Sequence, residues 1–136
     1  MLPYNQEDIV AIATPPGVSA LAIVRISGGN LGRLYSDFTH KAPKNRLASF
    51  SKLYHPIKNT VLDEAVVTYF QSPNSFTGED VIEISCHGGE SVKNSIVLAA
   101  LDCGARLAGP GEFTLRSFIN GKIDLIQAEA VSALIS

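Results

Sequence analysis

Apolar residues along this chain gather into short runs punctuated by glycine, proline and polar turns, and the runs switch between a period of two and a period near 3.6. IVAIAT, residues 9–14, predicts a short strand that Pro15, Pro16 and Gly17 bring to a turn. ALAIVRIS, residues 20–27, predicts a second strand suited to burial on both faces, except at Arg25, a cation that needs a partner. Gly28 and Gly29 end it. Leu31, Leu34, Tyr35 and Phe38 then recur at helical spacing and predict a short amphipathic helix with Asn30 as its N-cap. HKAPKNRLA, residues 40–48, reads as a solvated basic loop, because Lys41, Lys44 and Arg46 lack the interleaved aromatics on which bases stack. SFSKLYHP alternates, with Phe50, Lys52 and Tyr54 on one side and Ser51, Leu53 and His55 on the other. After a turn over residues 57–60, EAVVTYFQ at 64–71 forms the next strand, so the two predict a hairpin.

The second half opens on PNSFTGEDVIEISCHGG, residues 73–89, which reads as a turn, an apolar strand and a glycine corner. Alternation places Val81, Glu83 and Ser85 on one face and Ile82, Ile84 and Cys86 on the other. Glu83 is therefore either a carboxylate on a wet face or one held for a hydrogen-bonding ligand. The following helix shows Val92, Ile96, Ala99, Ala100 and Cys103 on its inner face, with Gly104 as C-cap. ARLAG gives a brief strand, and EFTLRSFIN about two turns of helix packing Phe113, Leu115 and Phe118. Asp124 with Gln127 forms a capping box that starts an Ala-rich helix striped by Leu125, Val131, Leu134 and Ile135. The helix shows no stop signal before Ser136, so the expectation is an excised piece of a longer protein whose stripe needs a partner surface. The whole order predicts an α+β fold with a mixed or antiparallel sheet and packed helices.

Composition narrows the function classes. At 136 residues, 46% hydrophobic and 18% charged, the chain has material for one domain plus an appendage. It has no apolar run of membrane-spanning length and no signal-peptide pattern, which makes the cytoplasm the expected compartment. Cys86 and Cys103 are then expected as free thiols, and no zinc spacing accompanies them. A net charge of −2 argues against tight, autonomous nucleic-acid binding. No Gly-x-x-x-x-Gly-Lys-Ser/Thr loop is present for a nucleotide. Cys86 beside His87 is a poor nucleophile pair, since neighbours on a strand point to opposite faces, and no Gly-x-Ser-x-Gly elbow joins the His-Gly-Gly corner. No catalytic residue and no metal site is expected. Arg25, Glu83 and Lys122 make the remaining constellation. A carboxylate accepts two hydrogen bonds from a planar N–H/NH₂ edge such as a pterin or guanine presents, and the two cations suit anionic groups.

Three long stretches carry a family resemblance: IVAIATPPG continued by AIVRISGG, then PNSFTGEDVIEISCHGG, then GARLAGPGEFTLRSFINGKIDLIQAEAV. In this order they resemble the N-terminal region of the tRNA modification GTPases called MnmE or TrmE, over nearly the whole chain. The likeness fades between about residues 30 and 60, and Val18, Ser19 and Ala20 replace a turn that is often richer in glycine. The resemblance implies a tetrahydrofolate-binding domain over residues 1–120, similar to the folate-binding domain of glycine-cleavage aminomethyltransferases, and the first helix of a helical domain over 121–136. It implies binding of 5-formyl- or 5,10-methylene-tetrahydrofolate, with Arg25, Glu83 and Lys122 at folate-contacting positions. It also implies a homodimer, the flavoprotein MnmG as partner, and the wobble uridine of tRNA as the substrate of that complex, not tightly bound by this chain alone. GTP, potassium and magnesium belong to a GTPase domain outside these residues. The alternative is a non-catalytic dimerisation module in which Arg25 and Glu83 form only an ion pair.

Overall fold

The computed structural model describes residues 7–17 and 19–135, and side chains through residue 131. Among these the chain forms β1 (Ile9–Ile12), β2 (Leu21–Gly28), α1 (Gly32–Thr39), β3 (Ala48–Tyr54), β4 (Val61–Phe70), β5 (Asp80–His87), α2 (Glu90–Asp102), β6 (Arg106–Leu107), α3 (Glu112–Ile119) and α4 (Leu125–Ile135). The six strands make one sheet in the order β3-β4-β5-β2-β1-β6. Every pairing is antiparallel except β1 with β6, so the sheet is mixed and the fold α+β, as expected. The hairpin of β3 and β4 is present, although β4 begins at Val61, three residues before the expected start. No helix of the described residues is long and apolar enough to cross a membrane.

Alternation divides the sheet into two unlike faces. Val10, Ala22, Val24, Ile26, Leu53, Ala65, Val67, Ile82, Ile84 and Cys86 are buried in one core with Leu31, Phe38, Ile96, Ala99 and Ala100 of the α1 and α2 layer. The opposite face carries Arg25, Glu83 and Thr68 in one cross-strand row. The corner from β5 into α2 needs glycine at residue 88, where a Cβ would stand 1.9 Å from the Ser19 carbonyl oxygen. Val18 of the neighbouring turn lies outside the described residues, as do the side chains of Leu134 and Ile135.

Three local expectations are corrected by tertiary contacts. Asn30 does not cap α1. Leu31 holds the N-cap position without a side-chain cap, and its N–H donates to Asp80 Oδ2 at 3.0 Å. That carboxylate also accepts from Tyr69 at 2.7 Å and from the Ser72 N–H at 2.8 Å, so one distant acid replaces the local cap. In α3 the buried residues are Thr114, Arg116 and Ser117, whereas Leu115 is exposed. The helix docks on a polar cluster rather than on the core. In α2 the inner face includes Lys93, whose ammonium donates to the Gly17 carbonyl at 2.8 Å and meets Glu90 at 2.9 Å. The capping box of α4, by contrast, forms as read: Gln127 N–H donates to Asp124 Oδ1 at 2.7 Å, and Asp124 N–H to Gln127 Oε1 at 3.0 Å.

The cluster beneath α3 is centred on Arg116, which is fully buried. Its guanidinium meets Glu79 Oε1 at 2.9 Å and Glu112 Oε2 at 3.3 Å and donates to the Glu7 carbonyl at 2.7 Å. Ser27 donates to the same Glu79 oxygen at 2.9 Å and lies 2.8 Å from the Thr77 hydroxyl. Glu112 also takes Arg106 at 2.6 Å, and that hydrogen bond holds its carboxyl down at about 2, against an ordinary 4.5. Because the folded value is the depressed one, this stabilisation is complete above pH 4.5 and is lost as pH falls toward 2. It is worth on the order of 2 kcal/mol. Urea midpoints of wild type and Glu112→Gln should therefore differ most at neutral pH and converge only as pH falls through about 2; a gap independent of pH would assign the effect to packing instead.

Candidate functional site

The polar row across the sheet is built by register. Arg25 of β2 stands opposite Glu83 of β5, so two residues 58 positions apart share one cross-strand pair. Arg25 Nε and Nη2 donate to Glu83 Oε2 at 3.1 and 2.8 Å. Both side chains keep between a quarter and a third of their surface, at 28% and 29%. The pair is thus half-desolvated and open to a ligand from the uncovered side. Its two bonds converge on one carboxylate oxygen, and Glu83 Oε1 retains its acceptor capacity.

Two aromatic rings flank the cation. Arg25 Cζ lies 5.7 Å from the ring centres of Phe76 and Phe113, within cation–π range of both. Phe113 is carried by α3, and Phe76 by the loop between β4 and β5. That loop is tied at several points. Ser117 donates to the Phe76 carbonyl at 2.7 Å, Asn120 to the Thr77 carbonyl at 2.8 Å, and Ser72 to the Gly78 carbonyl at 2.9 Å. Ser75 donates to the Glu79 carbonyl and receives the Gly78 N–H at 3.0 Å. Gly78 itself adopts φ +82°, and a Cβ there would come within 2.7 Å of Asn120 Cβ, so both conformation and space require glycine. Phe76 is therefore positioned by the segment that buries Glu79 against Arg116.

Lys122 follows α3, with its N–H donating to the Ser117 carbonyl at 2.8 Å. Its side chain does not join the Arg25–Glu83 pair. It lines a shallow cavity of about 340 Å³ together with Arg46, Phe70, Asn74, Ser75 and Phe76. Of the three residues singled out by the sequence, two are thus brought into contact, and the third is connected to them through Phe76. Arg46 lies in a loop whose residues 40–48 are all exposed, as expected from the sequence. What the sequence does not show is its conformation, φ +67° at a long side chain.

Cys86 has the structural role expected of it. It is fully buried, its thiol contacts the Ala22 carbonyl at 3.5 Å, and burial pushes its pKa up. His87 turns instead to Asp63, with Nδ1 to Oδ1 at 2.7 Å and its backbone N–H to Oδ2 at 3.0 Å. Burial alone would raise Asp63, but these hydrogen bonds outweigh it and hold the carboxyl below its ordinary range. The described residues contain no group of three or more His, Cys, Asp or Glu spaced for a metal ion.

Residues 8–122, which include every side chain of this site, match the family described as GTP-binding protein TrmE N-terminus. The chain belongs to that family. Curated relatives agree: it is 50% identical over 133 residues to the tRNA modification GTPase MnmE of Aliarcobacter butzleri, covering 97% of this chain and 30% of that protein. Against the MnmE of Nitrosomonas eutropha it is 51% identical over 131 residues, covering 96% and 29%. With the MnmE of Francisella philomiragia identity is 47% over 133 residues, covering 98% and 29%. The chain therefore spans less than a third of the length of the TrmE relatives it matches.

The burial of Cys86 makes a direct prediction. A thiol reagent should label the partly exposed Cys103 of the native protein and reach Cys86 only at the rate of unfolding. Rapid labelling of Cys86 in native buffer, followed by mass spectrometry, would restore it as a reactive thiol.

Proposed function

We propose that this chain is the folate-binding and dimerising N-terminal part of a tRNA modification GTPase. The observation that carries the reading is the part-exposed Arg25–Glu83 pair on the sheet face opposite α1 and α2, flanked by Phe76 and Phe113. A planar N–H/NH₂ edge finds in Glu83 an acceptor with one oxygen left over, already oriented by Arg25. The two phenyl rings offer apolar surface to a flat heterocycle. A pterin has that edge and that shape, so the residues present fit a tetrahydrofolate derivative, 5-formyl or 5,10-methylene. Lys122 lines the neighbouring cavity, which supports a role for its ammonium at the anionic part of the same ligand.

The bound folate supplies a one-carbon unit; the chain's own residues bind and orient it. In the complete protein this unit goes to C5 of the wobble uridine of tRNA, in a cytoplasmic complex with MnmG, while GTP, potassium and magnesium act in a separate GTPase domain. The relatives' shared name, tRNA modification GTPase, supports the tRNA-modification and GTPase parts of that assignment. The fold is read as that of the folate-binding domain of glycine-cleavage aminomethyltransferases over residues 1–120. Residues 121–136 open a helical domain, consistent with the exposed Leu125 and Ile126 of α4. A dimerisation module without ligand is the second reading, favoured by the fact that Arg25 and Glu83 already satisfy one another.

Calorimetry with 5-formyltetrahydrofolate beside a light-scattering mass separates the two. Folate heat is expected, and Glu83→Gln should weaken affinity roughly ten- to a hundredfold, the cost of about 1.5 to 3 kcal/mol for a charged hydrogen bond. A dimer that releases no folate heat would leave only the module, whereas a Glu83→Gln variant with unchanged Kd would remove Glu83 from the site.

A further inference from the structure

The chain has 11 lysines and arginines, and the fold uses them unequally. Arg25, Arg33, Lys93, Arg106 and Arg116 each meet a carboxylate. Among the described residues the other cations form no ion pair, and they include Arg46 and Lys122. These two come from segments 76 positions apart, yet they line the same cavity of about 340 Å³, in which no acidic side chain takes part. The remaining lining is Asn74, whose side-chain amide can donate to an anion, Ser75, whose hydroxyl is already given to the Glu79 carbonyl, and the rings of Phe70 and Phe76.

Arg46 is held there against its backbone preference. Its φ of +67° lies in the left-handed region, which is rare for a long side chain, and the surroundings enforce it. Its N–H donates to the Tyr69 carbonyl at 2.7 Å, and the side chain of the preceding residue, Asn45, accepts the Gln71 N–H at 2.8 Å. The loop is thereby fastened on both sides of the end of β4.

The cavity adjoins the proposed folate site. Phe76 belongs to both. Phe70 lies on the same sheet face as Glu83, one strand across and two residues along, since Thr68 pairs Glu83 and Phe70 pairs Val81. Strand spacings put the two positions roughly 8 Å apart. Folates carry their negative charge at the end opposite the pterin, on glutamate carboxylates. We infer that Arg46 joins Lys122 in a dicationic subsite for the glutamate tail of the folate, and that this subsite favours chains of several γ-linked glutamates. The inference rests on the folate reading and adds Arg46 as the residue that sets tail preference.

The test compares mono- and triglutamyl 5-formyltetrahydrofolate in titrations of the same protein. The triglutamate should bind about five- to tenfold more tightly at low salt, and the advantage should shrink as salt screens these exposed charges. Arg46→Gly should abolish that ratio while keeping or raising the melting temperature, because glycine relaxes the positive φ. Lys58→Ala, which removes an exposed cation that does not line the cavity, should keep the ratio. Equal affinity for the two folates overturns the tail subsite and leaves the folate reading standing. If neither folate binds, the folate reading falls, and a γ-linked triglutamate peptide without pterin decides the subsite alone. Its shifting the Arg46 side-chain NMR signals supports the anion site, and no shift overturns it. RNA retention lost in Arg46→Gly with an unchanged folate ratio would reassign the cavity to phosphate and overturn the tail.

Discussion

The contact on which most of the candidate site depends is the buried ion pair of Arg116 with Glu79. An isolated charge in that position would be costly, and removing either partner from such a pair typically costs about 3 to 5 kcal/mol. The pair is supported by Ser27, Glu112 and the Glu7 carbonyl, which supply further hydrogen bonds. Its consequence is geometric. Joining α3 to the start of β5 closes the loop that carries Phe76, and Ser117 and Asn120 of the same region fasten that loop's carbonyls. Phe76 and Phe113 then flank Arg25 from the two segments so joined. A polar cluster, and not the apolar core, thereby decides how this face of the sheet is presented.

The sheet separates stability from recognition. Its helix-covered face holds the apolar side chains that drive folding, including Cys86, whose thiol is thereby removed from chemistry. Its other face holds the Arg25–Glu83 pair, between the uncharged pairs Ile23–Ser85 and Ser27–Val81 of the same strands. Arg25 is balanced by Glu83, which leaves the pair close to neutral and receptive to hydrogen bonds. Arg46 and Lys122 are not balanced, which gives the adjoining cavity a positive character. The juxtaposition of a neutral, aromatic-flanked acceptor with a cationic recess suits a ligand that is planar and polar at one end and anionic at the other.

Much of this was legible in the residues. The mixed sheet followed from hairpin spacing and from strands too closely connected for parallel crossovers. Glu83 was visible as an acid on the face opposite Ile82, Ile84 and Cys86, and Arg25 as a cation that needed a partner. What stayed hidden were contacts between distant segments. Asn30 looked like a cap because it is local, and lost that role to Asp80, 49 positions from the N–H it satisfies. The apolar face read for α3 held in part for Phe113 and Phe118 but not for Leu115, because Arg116, an unremarkable helix residue, takes the buried position against Glu79 of another loop. Arg46 is the exposed loop cation that it looked like, but its closeness to Lys122 was not legible.

The sequence alone determined the features that act within a few residues: the alternation that sorts side chains to two faces, the glycine corners, and the Asp124–Gln127 capping box that formed as read. It also sufficed for the family, whose motifs are long contiguous stretches. Only the tertiary structure decided which charges meet. Ion pairing depends on strand register and loop closure, and these join residues 37 to 109 positions apart in the Arg116 cluster and 58 apart in the Arg25–Glu83 pair. No periodicity along the chain records such distances. The same closure left Arg46 and Lys122 together without an acid between them, which neither residue's own surroundings in the sequence could disclose.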